Sequence, residues 1–290
     1  MLEGFPVPDF DFDDDPVRST YASVDIASQS ISCEDYEELC EKSGIVLTSS
    51  TPLRCTSNSM VFSAESVNGN EQYAIKITPH KHRVHEEYDK RNLVTDSPYI
   101  VKTISLSESP TKALLKMELC ELGDISNYTF TEDDIWKMIH DIGTALKHLH
   151  SQGWMHLDVS PGNILITNDC FKLADFGTLT KIGEFEEGNE GAGPFVSPEA
   201  LAFPCTDFEV GPPTDIFSFG VVLLECASQQ SAPRGGCPGY SKIRNGEILL
   251  GQGSYPCEHS QELIDLINMM LAVDPADRPT AEQLVQATGM

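Results

Sequence analysis

From His156 to Ile166 the chain reads H-L-D-V-S-P-G-N-I-L-I, and from Lys172 to Gly177 it reads K-L-A-D-F-G. Two acidic residues and an amide stand out in these stretches: Asp158, Asn163 and Asp175. The apolar run Ile164 to Ile166, a turn at Asn168 and Asp169, and the run Phe171 to Leu173 predict a short β-hairpin between them. A hairpin of that length folds Asn163 and Asp175 back side by side, where their oxygens can share one divalent cation. Asp158 then stands one turn of loop away and is placed to take a proton from a hydroxyl. H-x-D or D-F-G alone turns up often by chance, but the two in this order and at this spacing rarely do.

Upstream, Ile45 to Ile77 has the alternation of strands. In Q-Y-A-I-K-I, Tyr73, Ile75 and Ile77 face one way, and Ala74 and Lys76 the other. A lone lysine on such a strand is most often a surface group. Beside the small Ala74, and with the downstream hairpin, Lys76 reads instead as the cation for the α- and β-phosphates of an adenine nucleotide. A short basic helix is predicted over His82 to Val94, where Glu86 and Glu87 both qualify as ion-pair partners of Lys76. Thr131 opens a long amphipathic helix with a T-x-x-D cap, an apolar stripe from Ile135 to Leu149, and Gly153 as its stop. His148 and His150 on that helix read as structural histidines, not metal ligands. Further helices are predicted over Asp215 to Cys226, over Gln261 to Val273, and from a T-x-x-Q cap at Thr280.

These motifs resemble those of eukaryotic protein kinases over residues 44 to 287. S-P-E at Ser197 to Glu199 stands where that family usually has A-P-E. D-I-F-S-F-G from Asp215 and D-R-P at Asp277 to Pro279 complete the set. The resemblance implies an α+β, bilobal fold: a small antiparallel β-sheet lobe with one main helix, then a larger, mostly helical lobe. It divides the chain into an acidic, flexible segment over 1–43, a small lobe and hinge over 44–120, and a helical lobe over 121–287. It also implies an ATP-dependent enzyme using Mg²⁺. Lys76 would orient the phosphates, Asp158 act as catalytic base, and Asn163 and Asp175 hold the metal. Val61, Ala74 and backbone groups of Glu118 and Cys120 would contact the nucleotide, with Met117 behind the base. Glu199 and Arg278 would form a buried ion pair.

A narrower likeness is to the Wee/Myt group, which restrains cell division by phosphorylating cyclin-dependent kinases. It rests on H-L-D-V-S-P-G-N, on M-E-L-C from Met117 to Cys120, and on E-G-x-x-x-F-V-S-P-E from Glu190. The segment P-R-G-G-x-x-x-Y-x-x-I-R-N-G, Pro233 to Gly246, adds to it. The interval from Glu87 to Ser97 matches the same group and selects Glu87 over Glu86 as the partner of Lys76. The implied substrate is a tyrosine, or also a threonine, of a cyclin-dependent kinase bound to its cyclin. The implied place of action is the nucleus, with the cytoplasm as alternative, and the implied state is monomeric.

Three departures bear on activity. Arg54 to Ser59 reads R-C-T-S-N-S where the family has its glycine-rich loop, and glycine is what lets backbone approach phosphate closely. The hydroxyls of Thr56, Ser57 and Ser59 are expected to substitute in part. Ser160 stands where a lysine reaches the γ-phosphate. Ala192 and Phe195 replace an acid and a tyrosine of the narrower group. These changes leave two other readings open: a pseudokinase acting as a binding module, and a serine/threonine kinase with an unrelated protein substrate. Leu157 replaces an arginine that clasps phosphorylated activation segments, so Asp175 to Glu199 is not expected to be switched on by phosphorylation.

Composition sets the outer limits. The 290 residues carry 45 acidic against 19 basic side chains, a net charge of −26, which argues against nucleic acid and anionic lipid as partners. Nine cysteines, an odd number without a C-x-x-C pair, fit a reducing compartment. Phe219 to Cys226 and Leu263 to Val273 are too short or too interrupted to span a bilayer, and the first residues do not read as a secretory signal. Phe5, Phe10 and Phe12 lie among aspartates in a lead read as a solvated tail, or else as a segment that docks in a basic groove.

Overall fold

The structure, a computed structural model, describes residues 33–56, 58–189, 191 and 193–290, with side chains from residue 38 onward. The acidic lead with Phe5, Phe10 and Phe12, and also Ser57, Glu190 and Ala192, lie outside the described residues. What is described divides into two compact units, residues 33–93 with 101–121 and residues 94–100 with 122–290.

The smaller unit begins with helix α1 (Cys33–Lys42), followed by strands β1 (Ile45–Leu47), β2 (Arg54–Cys55), β3 (Met60–Ser66) and β4 (Gln72–Thr78). Helix α2 (Lys81–Asn92) and strands β5 (Thr103–Glu108) and β6 (Ala113–Glu118) complete it. The strands make one antiparallel six-stranded sheet in the order β1-β3-β4-β6-β5, with β2 also on β3. The alternation in β4 decides both faces. Tyr73, Ile75 and Ile77 enter one apolar cluster with Phe62 and Leu114, and Leu39 and Cys40 of α1 cover it. Beneath α2, Val84 packs with Ala113 and Leu115 in a second cluster that Met117 and Tyr88 flank. Helix α2 is the one main helix expected of this unit, and the ten-residue α1 adds cover to the Tyr73, Ile75 and Ile77 cluster. The flexible segment expected over 1–43 thus ends in a ten-residue helix that belongs to the smaller unit.

The larger unit is built on α3 (Glu132–Ser151). Its capping box is complete: Asp134 N–H donates to the Thr131 hydroxyl at 3.3 Å, and Thr131 N–H donates to the Asp134 carboxylate at 2.9 Å. Ile135, Met138, Ile139, Ile142, Leu146 and Leu149 are wholly buried, each stabilising by about 1.5–3 kcal/mol relative to exposure. Then come β7 (Trp154–Met155), the hairpin β8 (Ile164–Ile166) and β9 (Phe171–Leu173), and β10 (Thr180–Lys181), which pairs with β7. Helices α4 (Pro198–Leu201), α5 (Pro213–Ser228), α6 (Pro238–Arg244), α7 (Gln261–Met270) and α8 (Ala281–Ala287) follow. Helix α5 is apolar on nearly every side and runs through the core. Residues 94–100 join this unit, with Leu173 N–H donating to Tyr99 O at 2.9 Å.

Candidate active site

In the smaller unit, cross-strand register sets the candidate nucleotide face. Val61 stands opposite Lys76, and Ala74 opposite Met117. Directly opposed residues share a face, and so do positions two apart, so all four lie on the side away from the Tyr73, Ile75 and Ile77 cluster. Lys76 Nζ meets Glu87 Oε2 at 2.7 Å, with both side chains largely shielded. Glu86, one residue earlier, points outward to His82 at 3.3 Å. The helical period separates the two glutamates, and only Glu87 is turned toward β4. Glu118 N–H donates to Lys102 O at 3.0 Å, so its carbonyl is the group it could offer a base. Cys120 is buried.

The glycine-free stretch forms a closed turn between β2 and β3. Asn58 N–H and Ser59 N–H donate to the Thr56 hydroxyl at 3.3 and 3.0 Å, and Thr56 N–H donates to Ser59 O at 2.9 Å. The expectation that Thr56 and Ser59 hydroxyls would stand in for glycine N–H groups meets a different geometry. The Thr56 hydroxyl is bound to backbone inside the turn, and the Ser59 hydroxyl lies 3.2 Å from it.

In the larger unit, the β8–β9 register pairs Ile164 with Leu173, and Ala174 N–H donates to Asn163 O at 2.9 Å. Asn163 is thereby held opposite Ala174, one residue from Asp175. The Asn163 amide donates to the Asp158 carboxylate at 2.7 Å and to Asp158 O at 3.0 Å. That ties base candidate and metal-ligand candidate into one rigid unit and turns the amide oxygen away from Asp158. Asp175 has φ +64°, and its carboxylate accepts Gly177 N–H at 3.2 Å. The Asp175 carboxylate and the Asn163 amide oxygen are hard oxygen donors, the class Mg²⁺ takes while keeping water and phosphate oxygens as its other ligands. The donor set fits that ion. Among the described residues, no group of three or more His, Cys, Asp or Glu side chains is arranged to hold a metal by itself.

Sequence reasoning missed what holds this loop. Asp215, at the start of α5 and wholly buried, accepts His156 N–H at 2.9 Å and Leu157 N–H at 2.7 Å. It also meets His150 Nε2 at 2.8 Å. Burial pushes its carboxyl upward, but bonds and charge from His150 and His156 outweigh this and hold it below the ordinary aspartate range. The payoff is backbone shape: Leu157 sits at φ +65°, a conformation costing roughly 1–3 kcal/mol that Asp215 over-determines. His156 finishes the cradle. Its Nδ1 accepts Asp158 N–H at 3.2 Å, its Nε2 faces Ala174 O at 3.1 Å, and its ring meets Phe176 edge-on. The available signal was an acid in the first turn of a mostly apolar helix. His148 and His150 both make structural bonds, His148 to Thr95 O.

The activation segment returns to the same place. A side-chain carbon on Gly191 would lie 2.2 Å from Leu157 O and 2.7 Å from the Asp158 carboxylate, so this backbone lies directly on the base candidate. Leu157 joins Met155, Val196, Ala200 and Val210 in an apolar cluster that Phe185 and Phe203 flank. Below it, Arg278 donates to both oxygens of Glu199, as the family resemblance implied.

The model of the protein kinase domain matches residues 56–288. Among curated relatives, the membrane-associated tyrosine- and threonine-specific cdc2-inhibitory kinase wee-1.3 of Caenorhabditis elegans is 29% identical over 78% of this chain and 34% of its own length. The membrane-associated tyrosine- and threonine-specific cdc2-inhibitory kinase of Drosophila melanogaster is 30% identical over 78% and 43%. The serine/threonine-protein kinase cds1 of Schizosaccharomyces pombe is 32% identical over 77% and 54%. The chain thus spans between a third and just over half of these relatives. Among the described residues, no helix is long and apolar enough to cross a membrane.

Proposed function

The chain belongs to the protein kinase family, and from that premise we propose that it phosphorylates a tyrosine, and also a threonine, of a cyclin-dependent kinase bound to its cyclin. In this reading it restrains entry into mitosis, with the nucleus as its place of action. The observation that carries the reading is the Asp158–Asn163 pair held over the β8–β9 hairpin, with Gly191 laid against Asp158.

Lys76, fixed by Glu87, orients the α- and β-phosphates of ATP. Asp158 accepts the proton of the acceptor hydroxyl, and its bond from Asn163 keeps its second oxygen aimed. Asn163 and Asp175 hold Mg²⁺, whose charge neutralises the phosphate oxygens. Positioning and charge stabilisation supply most of the rate in such a transfer. The two relatives named as cdc2-inhibitory kinases support the substrate class. The cds1 relative favours a second reading, a serine/threonine kinase with another protein substrate.

The test is to incubate the chain with labelled ATP and a catalytically dead cyclin-dependent kinase–cyclin complex, then map the modified residue. Label on a tyrosine or threonine of the glycine-rich loop is expected. Label confined to serine elsewhere, or acceptance only by unrelated proteins, overturns the substrate assignment.

A further inference from the structure

Helix α6 lies in the segment Pro233 to Gly246, and its two largest polar side chains turn inward. Arg244 is only 4% exposed. It donates to Tyr240 O at 2.9 Å within its own helix, then to Gly193 O at 3.1 Å and Pro194 O at 3.2 Å in the activation segment. The Tyr240 hydroxyl donates to the same Gly193 O at 3.1 Å, and the guanidinium stacks on the Tyr240 ring at 3.6 Å. Burial pushes Arg244 down to about 10, so it remains a cation at neutral pH.

A buried cation is a poor way to gain stability, since an apolar residue of the same volume often does as well or better. It does fix position. Three hydrogen bonds, two from Arg244 Nη2 and one from the Tyr240 hydroxyl, converge on two consecutive carbonyls of a turn, Gly193–Phe195, that starts two residues after Gly191. Successive Cα atoms are about 3.8 Å apart, so this turn lies within roughly 8 Å of the backbone resting on Asp158. A polypeptide that delivers a hydroxyl to Asp158 comes within reach of this turn.

We infer that Tyr240 and Arg244 are positioning residues for the protein substrate: they clamp the Gly193–Phe195 turn at the height at which the acceptor polypeptide meets Asp158. This rests on the phosphotransfer reading above and adds to it the element that sets affinity for the polypeptide. Nucleotide binding has no part in the clamp.

Arg244→Ala could fail to fold, so the test uses Tyr240→Phe, which removes one hydroxyl, and Arg244→Lys, which keeps the charge and loses the fork. The probe is the dead cyclin-dependent kinase–cyclin complex. Loss of one such hydrogen bond should raise the KM for this protein roughly fivefold in Tyr240→Phe, and more in Arg244→Lys. The kcat at saturation and the KM for ATP should stay within twofold. Amide exchange in residues 191–196 should quicken in both variants. Unchanged exchange, or a KM for ATP that rises as much as that for protein, overturns the clamp. A wild-type chain that transfers no phosphate sinks the proposed function; the clamp is then judged on exchange alone.

Discussion

Arg278 and Glu199 meet with both side chains wholly excluded from water, Nη1 to Oε1 at 2.7 Å and Nη2 to Oε2 at 2.9 Å. The arginine also donates to Pro213 O, and the glutamate accepts the Thr214 hydroxyl, so the pair ties the first turn of α4 to the start of α5. Removing one partner leaves an unpaired charge in the core. Arg278→Ala should therefore lower unfolding free energy by about 3–5 kcal/mol, read from the urea midpoint. A loss under about 1 kcal/mol, the value of a surface pair, would contradict this.

Asp215 gives a pH dependence with a defined sign. Its folded pKa lies below the unfolded one, so its contribution is complete above about pH 4 and fades as pH falls through the lowered value. Asp215→Asn turns an acceptor into a donor facing backbone N–H groups, and should cost roughly 1–3 kcal/mol at neutral pH. The wild type should lose stability more steeply than the variant below pH 4. Parallel acid-unfolding curves would refute the assignment.

Control by activation-segment phosphorylation is not expected. The Thr178 hydroxyl donates to His156 O at 2.8 Å, the Thr180 hydroxyl donates to Thr178 O at 2.9 Å, and Thr180 is buried. Where a phosphate clasp would need an arginine, Leu157 packs against Val196 and Phe185. Phosphatase treatment and Thr180→Val should each leave the rate within about threefold, since a local hydrogen bond is worth only about 1 kcal/mol or less. An inactive but folded Thr180→Val chain would sink this.

The closed turn at Thr56 predicts a gain of affinity. Thr56→Gly removes the oxygen that holds Asn58 and Ser59 N–H, freeing two donors for phosphate. At about 1 kcal/mol per net bond, less the cost of a glycine, the Kd for Mg·ATP should fall roughly fivefold. A titration calorimeter decides it, and weaker binding in the variant would show that the threonine itself contacts nucleotide.

Elements defined by strong local patterns were legible in the sequence. The β8–β9 hairpin, the capping boxes at Thr131 and Thr280, and the apolar stripe of α3 all stand where their residues put them. Helix α7 stops at Met270, three residues before the apolar run ends, because the chain turns at Leu271 to bring Arg278 back under α5. Helix α1 was hidden, since half of its ten residues are acidic and its few apolar anchors, Leu39 and Cys40, are covered only once strands running on to Leu114 are in place. The burial of Arg244 and Asp215 was hidden for the same reason. An arginine or aspartate reads as surface until its partners, here 50 or more residues away, are in place.

The most direct test is the initial rate of γ-phosphate transfer from Mg·ATP to the dead cyclin-dependent kinase–cyclin complex, for wild type and Asp158→Asn side by side. Loss of a positioned base should slow transfer by about a hundredfold or more, while Mg·ATP still raises the melting temperature of both proteins. Equal rates, or no transfer by the wild type at millimolar nucleotide, would contradict the account.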